Sequence, residues 1–563
     1  MSTSSAETFA VVAEKDTWTG KIRENALKAF PPERLMPDRQ PAYVASWTYV
    51  FGALSIGAFA VVLLSGAVLA IEGPAWWHKS NVGLFVNSLH LWSTEFFFMF
   101  MVVHLWAKFF MAAWRGKRKA TWITGVIAFA VSIGAAFTGY LSQQNFDSEW
   151  IATQAKDGIN ATGAGAFWNV LNFGQMLMWH IVLLPMLVAL VIGLHVLLVR
   201  RRGVVPPFAP TEAQLVKAGL SPTTTPDEPR ARRARHFRPD RDVVEWQGAH
   251  RRYDVAKEVF VSFLVVLVLV VISAIVFSSP DEHPVTVKSW SNAAPVDFAN
   301  TAMAELDGTS GVATYGPPYT STAGAGQTLG PISMERAVGV RIPINTAQDF
   351  VLKPLATLPD RPALDAALAQ YQGASAARRT SWDAAYATVV ANATFSHGQL
   401  VVKGGPYGPV GVLISNLESM ARSGALDGAL LASPQLYATN YTNPLLFIAD
   451  GTYLADQAGL RHLQGSQWGM MNETGNFPGQ AWLWLYTMWY QIPPMNTSSN
   501  GDVEVWAIMM VLTLLLALLP FIPVLRSIPR WLGLYRLIWR DHYRSLGPDI
   551  LAQMPPDGPV RRR

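Results

Sequence analysis

Residues 85–113 read Phe85-Val-Asn-Ser-Leu-His90-Leu-Trp-Ser-Thr-Glu95-Phe-Phe-Phe-Met-Phe100-Met-Val-Val-His104-Leu-Trp-Ala-Lys108-Phe-Phe-Met-Ala-Ala113. Glu95 and Lys108 alone bring formal charge into the run, which is long enough to cross about 30 Å of hydrocarbon as a helix. His90 and His104 are fourteen residues apart. At about 100° per residue that spacing closes within roughly 40° of four turns, so both imidazoles leave one face, about 21 Å apart along the axis. A second apolar run, 175–199, carries His180 and His195, fifteen apart and again on nearly one face.

Two such helices side by side offer two imidazole-to-imidazole clamps, one near each side of a bilayer. Imidazole serves iron, zinc and copper alike. Two distant sites without a carboxylate or thiolate in helical register favour a flat macrocycle gripped from both faces, whereas zinc collects more protein ligands at one point. A lone histidine in a membrane helix is more often a hydrogen-bonded helix contact. That simpler reading leaves unexplained why all four intramembrane histidines fall on two helices at same-face spacing while the other seven of eleven lie in loops or tails. The expectation is two non-covalent haem b groups with bis-histidine ligation, and electron transfer across the membrane.

Glycine spacing repeats the pattern. Gly52 and Gly66 are fourteen apart in one apolar run, and Gly125 and Gly139 are fourteen apart in another. Small residues are also ordinary helix-packing devices in membranes. Two pairs that match the histidine rise point instead to places where a flat ring approaches a helix backbone.

The chain has 563 residues, is 50% hydrophobic and only 15% charged, and has no cysteine. Covalent c-type haem, cysteine-ligated iron–sulfur clusters and disulfides are excluded for this chain. The formal charge of +5 sits mainly in loops beside apolar runs, a pattern of membrane orientation that argues against nucleic-acid binding. The first forty residues lack the basic-then-apolar pattern of a cleaved signal peptide, so the first span is expected to direct insertion.

Six spans are expected, at about 47–71, 85–113, 121–141, 175–199, 259–278 and 504–526. Basic residues crowd the loops after the second span (Arg115 to Lys119), after the fourth (Arg200 to Arg202, then Arg230 to Arg235) and after the sixth (Arg526 to Arg544). The positive-inside rule places these loops and both termini in the cytoplasm of a bacterial cell, with residues 280–503 outside. The expected organisation is therefore 1–46 as a cytoplasmic segment with a surface helix from Trp18 to Leu35, and 47–205 as a four-helix dihaem domain. A basic linker over 206–257, a fifth span over 258–279 and an extracytoplasmic domain over 280–503 follow. The sixth span covers 504–526 and a basic tail 527–563. The fold class is an all-α membrane protein with that outer domain inserted between its last two spans.

The first half of the outer segment reads as Ala-, Gly-, Thr- and Pro-rich and turn-like, as at Tyr315-Gly316-Pro317-Pro318. Helices are expected over Arg361–Gln372, Ala376–Ala393 and Val410–Ala421. The aromatic stretch Ala481 to Tyr490 is too short to span and suits a helix lying in the outer interface. His397 and His462 read as ordinary surface or domain residues.

Residues 40–205 resemble the N-terminal domain of cytochrome b from the cytochrome bc complexes, nearer the chloroplast and bacterial type. The resemblance rests on the glycine pairs, on His90-Leu91-Trp92-Ser93, on the basic turn into Thr121-Trp122-Ile123-Thr124-Gly125, and on Thr138-Gly139-Tyr140-Leu141. His180 to Pro185 followed by His195 and Arg200-Arg201-Arg202-Gly203 completes it. It implies that His90 and His180 hold an outer, low-potential haem and His104 and His195 an inner, high-potential one. It also implies a quinone, partners such as a Rieske-type or c-type cytochrome, and a homodimer.

The sequence departs from the family at its outer end. Ser142-Gln143-Gln144-Asn145 stands where a Pro-Trp-Gly-Gln turn is usual, and no Pro-Glu-Trp-Tyr motif follows the fifth span. Asn87 and Leu91 occupy positions usually held by arginine. Glu95, about 140° from His90 around its helix, is a candidate for facing a quinone, a partner or a proton path; a carboxyl neutralised or bonded to a neighbouring helix is the plainer reading. Asp281, Glu282 and His283 could accept quinol protons, although a solvated loop is the plainer reading. Three functions stand: a dihaem subunit of a quinol-linked respiratory oxidoreductase, a haem-bearing anchor or conduit for a separate dehydrogenase or oxidase, and a structural subunit that grips partners through its outer domain.

Overall fold

A computed structural model of the chain describes residues 17–209, 238–243, 245–246, 248–277, 282–322, 326–397, 399–431, 439–464 and 484–545. Six helices among them are long and apolar enough to cross a membrane: Trp47–Glu72, Asn81–Phe110, Gly116–Leu141, Phe173–Arg202, Val255–Val276 and Gly501–Phe521. All six match expected spans to within a few residues, and the chain is a multi-pass membrane protein. In chain order the labelled helices are α1 (Trp18–Ala29), α2 (Val50–Glu72), α3 (Asn81–Phe110), α4 (Lys119–Leu141), α5 (Phe146–Ala161) and α6 (Phe173–Arg202). After them come α7 (Val255–Val276), α8 (Pro295–Asp307), α9 (Pro362–Gly373), α10 (Ala376–Val390), α11 (Val410–Ser423) and α12 (Gly501–Leu518).

Local chemistry sets the helix ends. The Ser80 hydroxyl accepts from the Gly83 amide and starts α3 four residues earlier than hydrophobicity suggests. Residues 179–183 of α6 form a π-helical turn. Pro185 follows it and cannot donate to the Ile181 carbonyl, so the ladder is interrupted beside His180.

In the membrane, α2 packs against α3 and α7, and α3 also meets α7. On the other side α4 packs against α6 and α12. The approach of α2 to α7 is close: a methyl group on Gly57 would lie 3.1 Å from the Phe263 backbone. A two-stranded antiparallel ladder, β1 (Arg39–Pro41) with β2 (His250–Arg252), ties the lead-in of α2 to that of α7. A second ladder, β3 (Thr394–Ser396) with β4 (Gln399–Val401), lies in the segment between α7 and α12. The protein is mostly helical, and these two short ladders are additions to the expected helices. Both involve three-residue strands, too short to leave an alternating pattern.

Between α7 and α12 the chain packs around Trp290, Phe298 and Phe447, all fully buried with ring centres 5.1–5.6 Å apart. Helices α9, α10 and α11 stand within a few residues of their expected bounds. The first half of this segment departs from its turn-like reading: Val287–Ala293, α8 and Gly311–Tyr315 are helical. A reciprocal cap between Thr286 and Ser289 opens the first of these, and Pro295 at the first position opens α8. The expected helix near the N-terminus is present as α1 followed by the short Pro32–Leu35 turn. Of the aromatic stretch 481–490, Trp484–Trp489 is helical, and 481–483 lie outside the described residues. Arg230 to Arg235 and Asp281 also lie outside them.

The segment between α4 and α6 holds a helix with no counterpart among the expected elements. Asn145 and Ser148 cap α5 reciprocally, and twelve of its sixteen residues are buried. The chain beyond α7 covers it. Phe146 donates its amide to the Glu282 carbonyl (3.0 Å), Trp150 Nε1 to the Leu463 carbonyl (2.8 Å) and the Val285 amide to Glu149 Oε2 (2.7 Å).

Candidate haem site

The four histidines come from α3 and α6, and the four glycines from α2 and α4. Each glycine faces one imidazole. A Cβ built on Gly66 would meet His90 Cε1 at 2.9 Å, and one on Gly52 would meet His104 Cε1 at 3.1 Å. On α4, a Cβ at Gly125 would meet His195 Cε1 at 3.1 Å, and one at Gly139 would come within 2.8 Å of His180 Nδ1. Such distances are below van der Waals contact, so any side chain here displaces the ring. By contrast Gly134 on α4 and Gly193 on α6 have nothing within 4 Å. The matched glycine and histidine spacings therefore have a direct cause: the glycines make room for the imidazoles of the neighbouring helix.

The hydrogen-bond inventory assigns the tautomers. Ser65 Oγ donates to the Val61 carbonyl at 2.7 Å, which uses its only hydrogen. Its remaining contact, 3.0 Å from His90 Nδ1, must then accept the Nδ1 proton. Thr124 Oγ1 donates to the carbonyl of Ala120 or Thr121 (3.0 Å each) and accepts from His195 Nδ1 at 3.2 Å. His180 Nδ1 lies 2.9 Å from the Ala135 carbonyl, which can only accept. In all three rings the proton sits on Nδ1 and the Nε2 lone pair is free, the form a metal-ligating imidazole takes. His104 Nδ1 is buried without a hydrogen-bond partner among the described residues.

The rings of His90 and His180 meet across the helix pairs with centres 6.0 Å apart and planes nearly perpendicular. Two metal–nitrogen bonds of about 2 Å each, plus the ring radii, fill such a gap. The donor set, the glycine clearances and this separation fit a bis-histidine haem. The clearances fall into two groups, Gly66 with Gly139 beside His90 and His180, and Gly52 with Gly125 beside His104 and His195.

Ser65 and the Ala135 carbonyl were not singled out from the sequence. The signal for a hydroxyl is a dipeptide, since Ser65-Gly66, Thr124-Gly125 and Thr138-Gly139 each place one directly before a clearance glycine, although Thr138 bonds the Gly134 or Ala135 carbonyl and no imidazole. The fourth glycine follows Phe51, and its imidazole, His104, is the one lacking a partner.

Glu95 is half-buried on α3. Glu282 is ion-paired with Arg461, whose guanidinium lies 4.4 Å over the Phe146 ring, and His283 is exposed. Asn87 donates through Nδ2 to Gln143 Oε1 at 3.1 Å, joining α3 to the altered turn after α4. Glu149, buried beneath the segment between α7 and α12, is pushed up to about 8 by desolvation.

Residues 95–284 match the cytochrome b(N-terminal)/b6/petB family model. This part of the chain is similar to cytochrome b of the bc-complex type. The cytochrome b match includes His104, His180 and His195 and begins just after His90. A cytochrome bc complex cytochrome b subunit from Chlorobaculum thiosulfatiphilum is 30% identical over 199 residues, 31% of this chain and 46% of that one. Cytochrome b6 of Pyropia yezoensis is 26% identical over 140 residues, 23% of this chain and 65% of its own length. The menaquinol:cytochrome c reductase cytochrome b subunit of Geobacillus thermodenitrificans is 24% identical over 200 residues, 31% of this chain and 88% of that one. The chain thus spans about half of the first relative and just under two thirds of the second. A hyperthermophilic respiratory Complex III chain superposes with a TM-score of 0.31 at 15% identity, covering 72% of this chain and 96% of that one, too loosely to bear on the fold.

Proposed function

We propose that the chain is a dihaem cytochrome b that carries electrons across the bacterial cytoplasmic membrane as part of a quinol-linked respiratory oxidoreductase. His90 and His180 hold the outer haem b, and His104 and His195 the inner one, in a four-helix bundle of α2, α3, α4 and α6. The observation that carries this reading is the tautomer set: three of the four imidazoles spend their Nδ1 protons on Ser65, Ala135 and Thr124 and keep Nε2 for iron. The haem supplies the reversible one-electron chemistry. The protein's residues fix ligand geometry, exclude water and hold the two sites at hopping distance.

On this reading the basic loops and both termini are cytoplasmic and the segment 280–503 is extracytoplasmic. A Rieske-type or c-type cytochrome, membrane lipid, quinone and a second copy of the chain are the partners in view. Haem quantification of the purified protein, followed by quinol addition, tests the whole reading: two haems b per chain, reduced by quinol, are expected, and no b-type signal overturns it.

A second reading, a conduit serving a separate dehydrogenase or oxidase, is favoured by one observation. Glu282, a sequence candidate for taking quinol protons, is held by Arg461 in the cap over α5. Haem reduction by a partner enzyme in the absence of quinol response distinguishes the two.

A further inference from the structure

Lys108 stands one turn beyond His104 on α3, inside a membrane-spanning helix. A lysine this close to the end of a span usually extends along the axis to interfacial water. Here the ammonium turns inward: it lies 4.1 Å over the Tyr49 ring and 4.0 Å from the Sδ of Met111, which is fully buried. The aromatic platform is itself fixed, because Tyr49 Oη accepts from Nε1 of the buried Trp539 at 3.0 Å. Among the described residues no carboxylate pairs with Lys108, whose ammonium meets a thioether and a ring face. Neither neutralises a desolvated cation, which is retained where an anion completes it.

The same end of the bundle has a second deficit. His104 is the imidazole whose Nδ1 has no hydrogen-bond partner among the described residues, so side-chain bonding orients that ligand less than it does the other three. A positive charge one turn from the ring, about 6 Å along the axis, is placed to reach the edge of a macrocycle ligated by His104. The haem b edge carries two carboxylates. Resting on the dihaem reading above, we infer that Lys108 pairs with a haem carboxylate at the His104–His195 site, anchoring the cofactor where the imidazole lacks support and raising its reduction potential. The sign follows from charge: a nearby cation disfavours the ferric state, which carries one more positive charge than the ferrous.

The test is a potentiometric titration of the full-length, haem-loaded protein, with the transition of this site identified as the one that His195→Ala removes. Lys108→Met is expected to shift the ferric-to-ferrous ratio of that transition at least tenfold toward ferric, a fall of about 59 mV for one electron. The other transition stays in place, and Lys108→Arg restores most of the loss. Lys108→Gln, still polar and of similar length, is read the same way where the methionine variant does not accumulate. Two intact transitions with unchanged potentials in the neutral variants overturn the role of Lys108. Absence of a His195-dependent transition from the wild-type protein overturns the dihaem reading instead, so the two failures are distinct.

Discussion

The two ends of the helix pairs are built to the same plan and finished differently. At the His90–His180 end both imidazoles are tied through Nδ1, one to a serine hydroxyl and one to a backbone carbonyl, and the nearby polar groups, Asn87 and Gln143, are neutral. At the His104–His195 end only His195 is tied, and a lysine is the neighbouring charge. Donation from Nδ1 makes an imidazole a more basic ligand and favours ferric iron; a nearby cation favours ferrous iron. On the dihaem reading proposed above, both differences act in one direction and the first end is expected to be the lower in potential. On that reading one fold sets a downhill electron path with the hydrogen bonds behind its histidines and a single charge.

The largest expected effect comes from filling a clearance. Gly139→Val puts a side chain into the space of the His180 ring, and at least a hundredfold loss of haem retention at that end is expected. Gly134→Val, one turn away on the same helix in open space, keeps both haems; pyridine haemochrome assay of the purified variants checks it. Equal loss in both variants would assign the effect to α4 rather than to the clearance.

Removing a hydroxyl acts more weakly. Ser65→Ala is expected to cost about 10–100-fold in haem retention at the His90 end only, and Thr124→Val a similar amount at the other, as outer-shell partners of metal-ligating histidines generally do. Haem dissociation followed by transfer to an apo-globin acceptor measures each. A Ser65→Ala protein that loses both haems equally would break the assignment of one hydroxyl to one ring.

Away from the membrane, the cap over α5 should depend on pH. Burial raises Glu149 to about 8, so the folded form holds a proton that the unfolded chain releases near the ordinary carboxyl value. Stability from this group is present at low pH and declines as pH rises toward 8, by at most about 1.4 kcal/mol per pH unit. Amide exchange at Val285, whose N–H donates to Glu149, is expected to quicken over that window, and Glu149→Gln to flatten the profile. The smallest effect is Gly193→Ala: with nothing within 4 Å, a helix-favouring gain of about 0.5–1 kcal/mol or no change is expected in thermal unfolding.

Much of the membrane part was legible because its signals are long. Six apolar runs became six spans, and histidine and glycine spacings became facing partners, since a helical period repeated over fourteen residues leaves little choice of face. The hydroxyl-before-glycine pattern escaped because a single dipeptide is meaningful only once the imidazole opposite it is known. Helix α5 escaped for a different reason. Burial on nearly all sides erases amphipathic contrast, and only the Asn145–Ser148 cap marked its start. Between α7 and α12, helices α9, α10 and α11 declared themselves by periodicity. The short helices around Trp290 sit in an Ala-, Thr- and Pro-rich stretch and depend on tertiary packing that no local pattern encodes.

The central claim, two haems each held by one histidine from α3 and one from α6, is tested most directly by redox-resolved difference spectra of the wild type beside His180→Ala and His195→Ala. Two b-type transitions are expected in the wild type, the lower one missing in His180→Ala and the higher one missing in His195→Ala. A wild-type protein with no b-type transition, or a single one lost in both variants, would contradict it.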